Sequence, residues 1–356
     1  MIQVFKDVKF DWLARRRLFI AISVFLMLAG LGSAFYRQWK HPNGTEAFNL
    51  GVDFKGGTVV TTRFKKPATA EKIRETLASQ GAKDATIQAV TDKPDTFLIK
   101  MPLEGSGEEQ SQDEVELGRR KVRDALHAFG PEGEAFEIIG TDAVGAVAGA
   151  QLRNKAIAVT LAALVGMLVY IAFRFEWTYG AAAVIAVFHD VLVTLGFFSI
   201  FQWEVSLTVI AALLTLVGAS VNDTIVVFDR IRENRRLHRR ESLYKITNNS
   251  INQTLSRTVI TQGLIILSVL AMVIFGGDVL REFSVALLIG TIVGTYSSVA
   301  VASPIMVWWE QRIEDSNRAA ALEVARTPIH SPRVSAGSVK REPVSARLEK
   351  RSRGAG

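Results

Sequence analysis

"VGASVNDTIVVFDRIREN", residues Val217–Asn234, begins inside a run of aliphatic residues and sets Asn222 and Asp223 side by side within it. It returns to Thr-Ile-Val-Val-Phe before breaking into charge at Asp229 and Arg230. A carboxylate near the centre of a bilayer costs roughly 2.5–3.5 kcal/mol on insertion scales, so one that is kept there faces a polar cavity, a partner charge or an ion path. Whether this run crosses a membrane therefore decides both the fold and the chemistry.

The rest of the chain answers the question. Its 356 residues are 49% hydrophobic, and the apolar residues are pooled rather than periodic. Leu18–Tyr36, Ala156–Phe173, Tyr179–Phe201, Val205–Phe228, Val259–Phe275 and Phe283–Trp309 are the pools. At about 1.5 Å per helical residue each can cross roughly 30 Å of hydrocarbon. The expected fold class is an α-helical polytopic membrane protein with six transmembrane helices. The first run follows Arg15, Arg16 and Arg17. It is longer than the core of a signal peptide, and "LGSAFYRQW" (Leu31–Trp39) is a poor cleavage site, so it reads as a retained anchor.

Eight Lys or Arg residues lie between Phe228 and Val259, whereas the short loops around Glu204 and Asp278 hold only Arg281. Basic loops stay in the cytoplasm, which with six crossings predicts both termini inside. The net charge of +7 belongs to these membrane edges and gives no reason to expect nucleic acid as a partner. The chain has no Cys, which excludes thiol catalysis, disulfides and thiolate metal sites.

Between the first and second crossings the composition is mixed, and a folded extracytoplasmic domain is expected. "GTVVTTRF" (Gly57–Phe64) reads as a strand, and "TAEKIRETLASQG" as a helix capped by Thr69 and stopped by Gly81. "ATIQAV" and "TFLIKMP" read as strands around "TDKPD", "DEVELGRRKVRDALHAFG" as a second helix and "EAFEIIGTDAV" as a last strand. The order β-α-β-β-α-β is that of an α+β ferredoxin-like domain. The expected boundaries are a basic cytoplasmic N-terminus (1–17), the first crossing (18–36), the outer domain (37–155) and helices two to six (156–309). The last of these includes a basic cytoplasmic loop (229–258), and a disordered cytoplasmic tail (310–356) follows. "LEGSGEEQSQ" (Leu103–Gln112) reads as a flexible insertion.

Asp223 and Arg257, at the mouth of the fifth crossing, fall on the same side of the midplane, so an ion pair between them is feasible. Asp190 lies close to the middle of the third crossing, where it is expected to join helices three and four; His189 beside it is expected to project elsewhere. Asp53, Gly56 and Gly57 in "GVDFKGGT" read as a turn into the first strand, with the carboxylate bonding the loop, and a role in coupling the helix end to the domain as the alternative. The stretch lacks the pattern of a phosphate-binding loop. Gly290 and Gly294, with Gly218, Ala219 and Ser220, read as helix-packing positions.

Taken together, "VNDTIVVFDRIREN" (Val221–Asn234), "NLGVDFKGGT" (Asn49–Thr58), "FHDVLVTLGFF", "TLSRTVITQG" and "LLIGTIVGTYSSVAVASPI" resemble the SecD/SecF family of protein-export subunits. The closer likeness is to its SecF branch, within the resistance-nodulation-division superfamily, and it runs in order over residues 10–310. It implies a multi-pass protein of the bacterial cytoplasmic (inner) membrane with a periplasmic domain. It further implies pairing with SecD, and use of the proton-motive force to help draw unfolded preproteins through the SecYEG translocon, with YajC and membrane lipids as neighbours. The proton pathway it implies includes Asp223 and Arg257, with Asn222 and Asp190 as further candidates. No metal or organic cofactor is implied; the coupling ion is the proton, with Na⁺ open as an alternative.

Three other classes are open to the same features. An intramembrane aspartyl protease would use Asp190 and Asp223, but neither sits in Gly-x-Gly-Asp. A homodimeric proton-driven exporter of lipids or small molecules would duplicate the one acidic site by symmetry. A scaffold of the translocon would need no proton chemistry at all.

Overall fold

A computed structural model describes residues 9–40, 47–80, 82, 85–90, 93–102, 113–144, 146–174 and 176–326. From helix α1 (Arg16–Lys40) the chain passes through strand β1 (Asn49–Leu50) and the one-turn helix α2 (Val52–Lys55). It then builds β2 (Gly57–Phe64), α3 (Ala70–Ser79), β3 (Thr86–Val90), β4 (Lys93–Pro102), α4 (Asp113–Leu126) and β5 (Phe136–Val144). The helices α5 (Ala146–Arg174) and α6 (Trp177–Phe201), the short strand β6 (Glu204–Val205), α7 (Leu207–Leu237) and α8 (Leu243–Phe275) follow. Last come α9 (Gly277–Ser297) and α10 (Ser303–Arg326), joined by a π-helical turn at Ser298–Ala302.

The strands β3-β4-β2-β5 form an antiparallel sheet in that order. Helices α3 and α4 follow from their caps and periodicity: the Thr69 hydroxyl accepts from the Lys72 amide, as expected of an N-cap. Ile73, Leu77, Val122 and Leu126 from the two helices meet Val60, Ile99 and Phe136 from the sheet in one buried core. Each such side chain contributes about 1.5–3 kcal/mol on burial. The expected helix stop at Gly81 and the insertion 103–112 lie outside the described residues.

Among the described residues six helices are long and apolar enough to cross a membrane, α9 and α10 together forming the sixth. They divide into two classes. In α6, α7 and the sixth span 50–56% of the most apolar stretch is buried, against 6–17% in α1, α5 and α8. The first three are therefore an inner group and the others an outer ring. Glycine sets the spacing at two crossings. A Cβ on Gly30 of α1 would meet the Cα of Gly196 on α6, and one on Gly290 of α9 would meet the Leu216 side chain on α7.

Three expected boundaries move. Residues 229–258 are not a loop: α7 runs to Leu237 and α8 starts at Leu243, leaving 238–242 between them. Arg, Lys and Glu are good helix formers; Arg230 pairs with Glu233 within α7 at 2.6 Å, and Lys245 of α8 reaches back to Glu241 in the connection at 3.0 Å. Second, α10 continues past Trp309 to Arg326, so residues 310–326 are helical; the remaining tail, 327–356, lies outside the described residues. Third, α1 and α5 extend into the span assigned to the outer domain, to Lys40 and from Ala146.

Candidate functional site

The two acids of the inner helices are both buried, Asp190 at 0% and Asp223 at 3% exposure. What they meet is fixed by the π turn. Pro304 has no amide proton to give the carbonyl of Ala300, and the helix accommodates the gap by widening through one turn, a device that often falls at functional sites. Ser303 takes up another freed group, its hydroxyl donating to the Ser298 carbonyl at 2.9 Å. At the head of this turn the consecutive residues Ser297 and Ser298 serve different helices. Ser297 donates to Asp190 Oδ2 at 2.8 Å, and Ser298 to Asp223 Oδ2 at 3.4 Å.

Asp190 is fully partnered. Ser220 of α7 donates to its Oδ2 at 2.5 Å, and the His189 ring returns to its Oδ1 at 2.9 Å. The acid therefore joins α6, α7 and α9, one helix more than expected. The histidine expected to point elsewhere is its neighbour, with Nε2 buried and unpartnered. Gly294 leaves the room: a Cβ there would lie 3.2 Å from the Ser220 Cβ and 3.5 Å from Asp190 Oδ2. Ser220 is thus an Asp190 ligand rather than only a packing residue, and Gly218 meets nothing within 4 Å.

Asp223 is held loosely. Ser298, which donates to it at 3.4 Å, sits near the limit of a useful hydrogen bond. Thr258 and Gln262 of α8 turn towards it, yet Thr258 Oγ1 and Gln262 Oε1 remain buried without a partner. Arg257 acts on the carboxylate only through its longer-range field, from an exposed position on α8. Among the described residues no ion pair joins Asp223 to Arg257. Asn222 is exposed, about 100° round the helix from Asp223.

The structure thus brings Asp190 and Asp223 to one polar track across α6, α7, the π turn and α8. It leaves Asn222 and Arg257 outside that track, and adds Ser220, Ser297, Ser298, Thr258 and Gln262. The sequence does carry a faint signal for the serines, a Ser-Ser pair in the apolar run "TYSSVAVAS".

The Asp53 motif lies at the opposite end of α7. β1 pairs in parallel with β6, and the Gly51 amide donates to the Val205 carbonyl at 2.9 Å. Asp53 Oδ2 accepts from the Leu207 amide at 3.0 Å, satisfying a free donor at the start of α7. Gly56 and Gly57 follow, with Gly56 at φ 80°, a conformation that favours glycine. A Cβ on Gly149 of α5 would come within 2.9 Å of the Gly56 nitrogen. The motif is therefore a joint between the sheet domain and the helices, more than a turn into a strand.

Comparison with known proteins places this arrangement. The family described as "Protein export membrane protein SecD/SecF, C-terminal" matches residues 124–312, and the "SecD/SecF GG Motif" matches residues 45–68. The chain is 38% identical to the protein translocase subunit SecF of Koribacter versatilis, over 87% of this chain and 94% of that one. It is 37% identical to SecF of Pseudomonas aeruginosa, over 86% and 93%. Among solved structures, SecDF of Thermus thermophilus superposes with a TM-score of 0.70 at 37% identity, covering 86% of this chain and 39% of that longer one. SecDF in a super-membrane-facing form superposes at 0.65, with 36% identity and 89% and 41% coverage.

Proposed function

The chain belongs to the SecD/SecF family, as a multi-pass protein translocase subunit of the SecF type, and from that premise we propose that it is one half of a proton-driven motor. SecD supplies the other half. The pair uses the proton-motive force to promote movement of unfolded preprotein through the SecYEG channel, with YajC and membrane lipids beside it. The chain acts as a transport subunit rather than an enzyme, and the coupling ion is the proton.

In this reading both termini are cytoplasmic, as the charge of the segment 229–258 favours, and the sheet domain is periplasmic. Its strand order supports a ferredoxin-like domain, since each βαβ unit has a third, antiparallel strand running between its two strands.

The observation that carries the proposal is the contrast between the two acids. Asp190 is tied into three helices by short hydrogen bonds, whereas Asp223, equally buried, has a long hydrogen bond from Ser298, with Thr258 and Gln262 beside it. Holding a charge in such a place costs roughly 2.5–3.5 kcal/mol, and a proton moving down 100–200 mV supplies about 2.3–4.6 kcal/mol. The two magnitudes match, so loading Asp223 with a proton and releasing it is within reach of the membrane potential. Each exchange changes what Ser298, Thr258 and Gln262 can bond, and Arg257 sets the field from the outer side of α8. Asn222 is kept as a candidate for the approach to that group.

The test is preprotein translocation in vesicles carrying the chain with SecD, with and without an imposed proton gradient. Asp223→Asn should lose the stimulation by the gradient while assembly with SecD persists. Unchanged stimulation in that variant would make Asp223 structural and would favour the scaffold.

A further inference from the structure

Lys100 of β4 reaches out of the sheet domain and bonds both carboxylate oxygens of Glu204 on β6, at 3.0 and 2.9 Å. The two side chains are only 17% and 12% exposed. A second acid, Glu282 near the start of α9, lies within the field of both, and Gln88 of β3 donates to it at 3.4 Å. Glu204 stands three residues before the start of α7, beside the Asp53 cap and the β1–β6 pairing. The chain has thus placed one cation of the domain between two anions at the outer ends of α7 and α9. Helix α7 also carries Asp223 and the Ser220 that bonds Asp190, and α9 carries Ser297, which bonds Asp190 as well.

We propose that Lys100 is the positioning residue that locks the sheet domain to the start of α7 through Glu204, with Gln88 joining it to α9 through Glu282, so that the domain and these helices move as one body. The inference rests on the motor reading for its functional consequence, but the lock itself is a matter of geometry. The physical case is that the pair is mostly out of water. Removing one partner of such a pair leaves the other charge without compensation, which is far more disruptive than losing a surface ion pair. Glu282 lies in the field of Glu204, Lys100 and Arg281, so loss of Lys100 leaves Arg281 to offset the two carboxylates.

Two experiments test it. Lys100→Gln and Glu204→Gln should each speed hydrogen exchange at the Gly51 and Leu207 amides about tenfold, equivalent to ~1.4 kcal/mol. The charge-swapped double variant K100E/E204K should recover protection. This readout needs no proton gradient. If both single variants exchange like wild type, the lock is not there.

The second experiment uses the chain's lack of cysteine. K100C/E204C should lose gradient-stimulated translocation, and joining the two thiols with a short reducible bifunctional reagent should restore it. Failure of the tether to restore stimulation, or a further fall that reductant reverses, would show that the joint has to open and would overturn the one-body proposal. Wild-type vesicles that show no gradient stimulation would instead sink the motor reading, leaving the exchange experiment to decide the lock.

Discussion

Asp190 and Asp223 are the same chemical group buried in one bundle, and they differ in how many donors reach them. That difference should separate their substitutions. Asp190→Leu strands the Ser220 hydroxyl and one bond of Ser297, and each buried group left unsatisfied costs about 1–3 kcal/mol. A loss of roughly 2–5 kcal/mol is expected in the unfolding of the purified chain in detergent. Asp190→Asn keeps an acceptor oxygen and should cost less. Asp223→Asn likewise keeps an acceptor for the 3.4 Å bond from Ser298 and should change stability by under about 1 kcal/mol. An Asp223→Asn chain that unfolds as readily as Asp190→Leu would contradict this division of labour.

At the scale of the element, the π turn gives α10 its rotation relative to α9. Deleting Val299 would let the segment close as a plain α-helix and turn everything after it by about 100°. Ser303 would then lose its place against the Ser298 carbonyl, and with it the geometry from which Ser298 addresses Asp223. The expected outcome is normal membrane insertion with loss of gradient stimulation, measured in the same vesicles; retained stimulation would mean that the turn only relieves Pro304. Elements also show what the sequence could convey. Strand β2 and the Thr69 cap were legible because alternation and capping are local. Asp190 and Asp223 were legible because a charge in an apolar run is conspicuous. Ser220, Ser297, Thr258 and Gln262 were not, because small and neutral polar residues occur in membrane helices simply as packing. The direction of Arg257 was equally hidden: a one-residue difference round α8 separates the exposed guanidinium from the buried Thr258. The helical state of 229–237 and 243–258 was hidden because clustered charge signals topology and helix alike.

At the scale of the whole molecule, three helices form an inside and three a rim, and Arg257 belongs to the rim. If SecD covers that side, R257C in this cysteine-free chain should react readily with a maleimide when the chain is alone. Co-assembly with SecD should slow the reaction severalfold. Equal labelling in both states would place the partner elsewhere. The molecule's other end has a consequence for biogenesis. The cap that Asp53 places on Leu207 joins residues 154 apart in sequence. At 5–20 residues per second of synthesis, roughly 8–30 s separate the emergence of the motif from that of its dock. The sheet closes within residues 57–144, so the ribosome delivers a finished domain that waits, tethered by α1, until the later helices arrive to seat it.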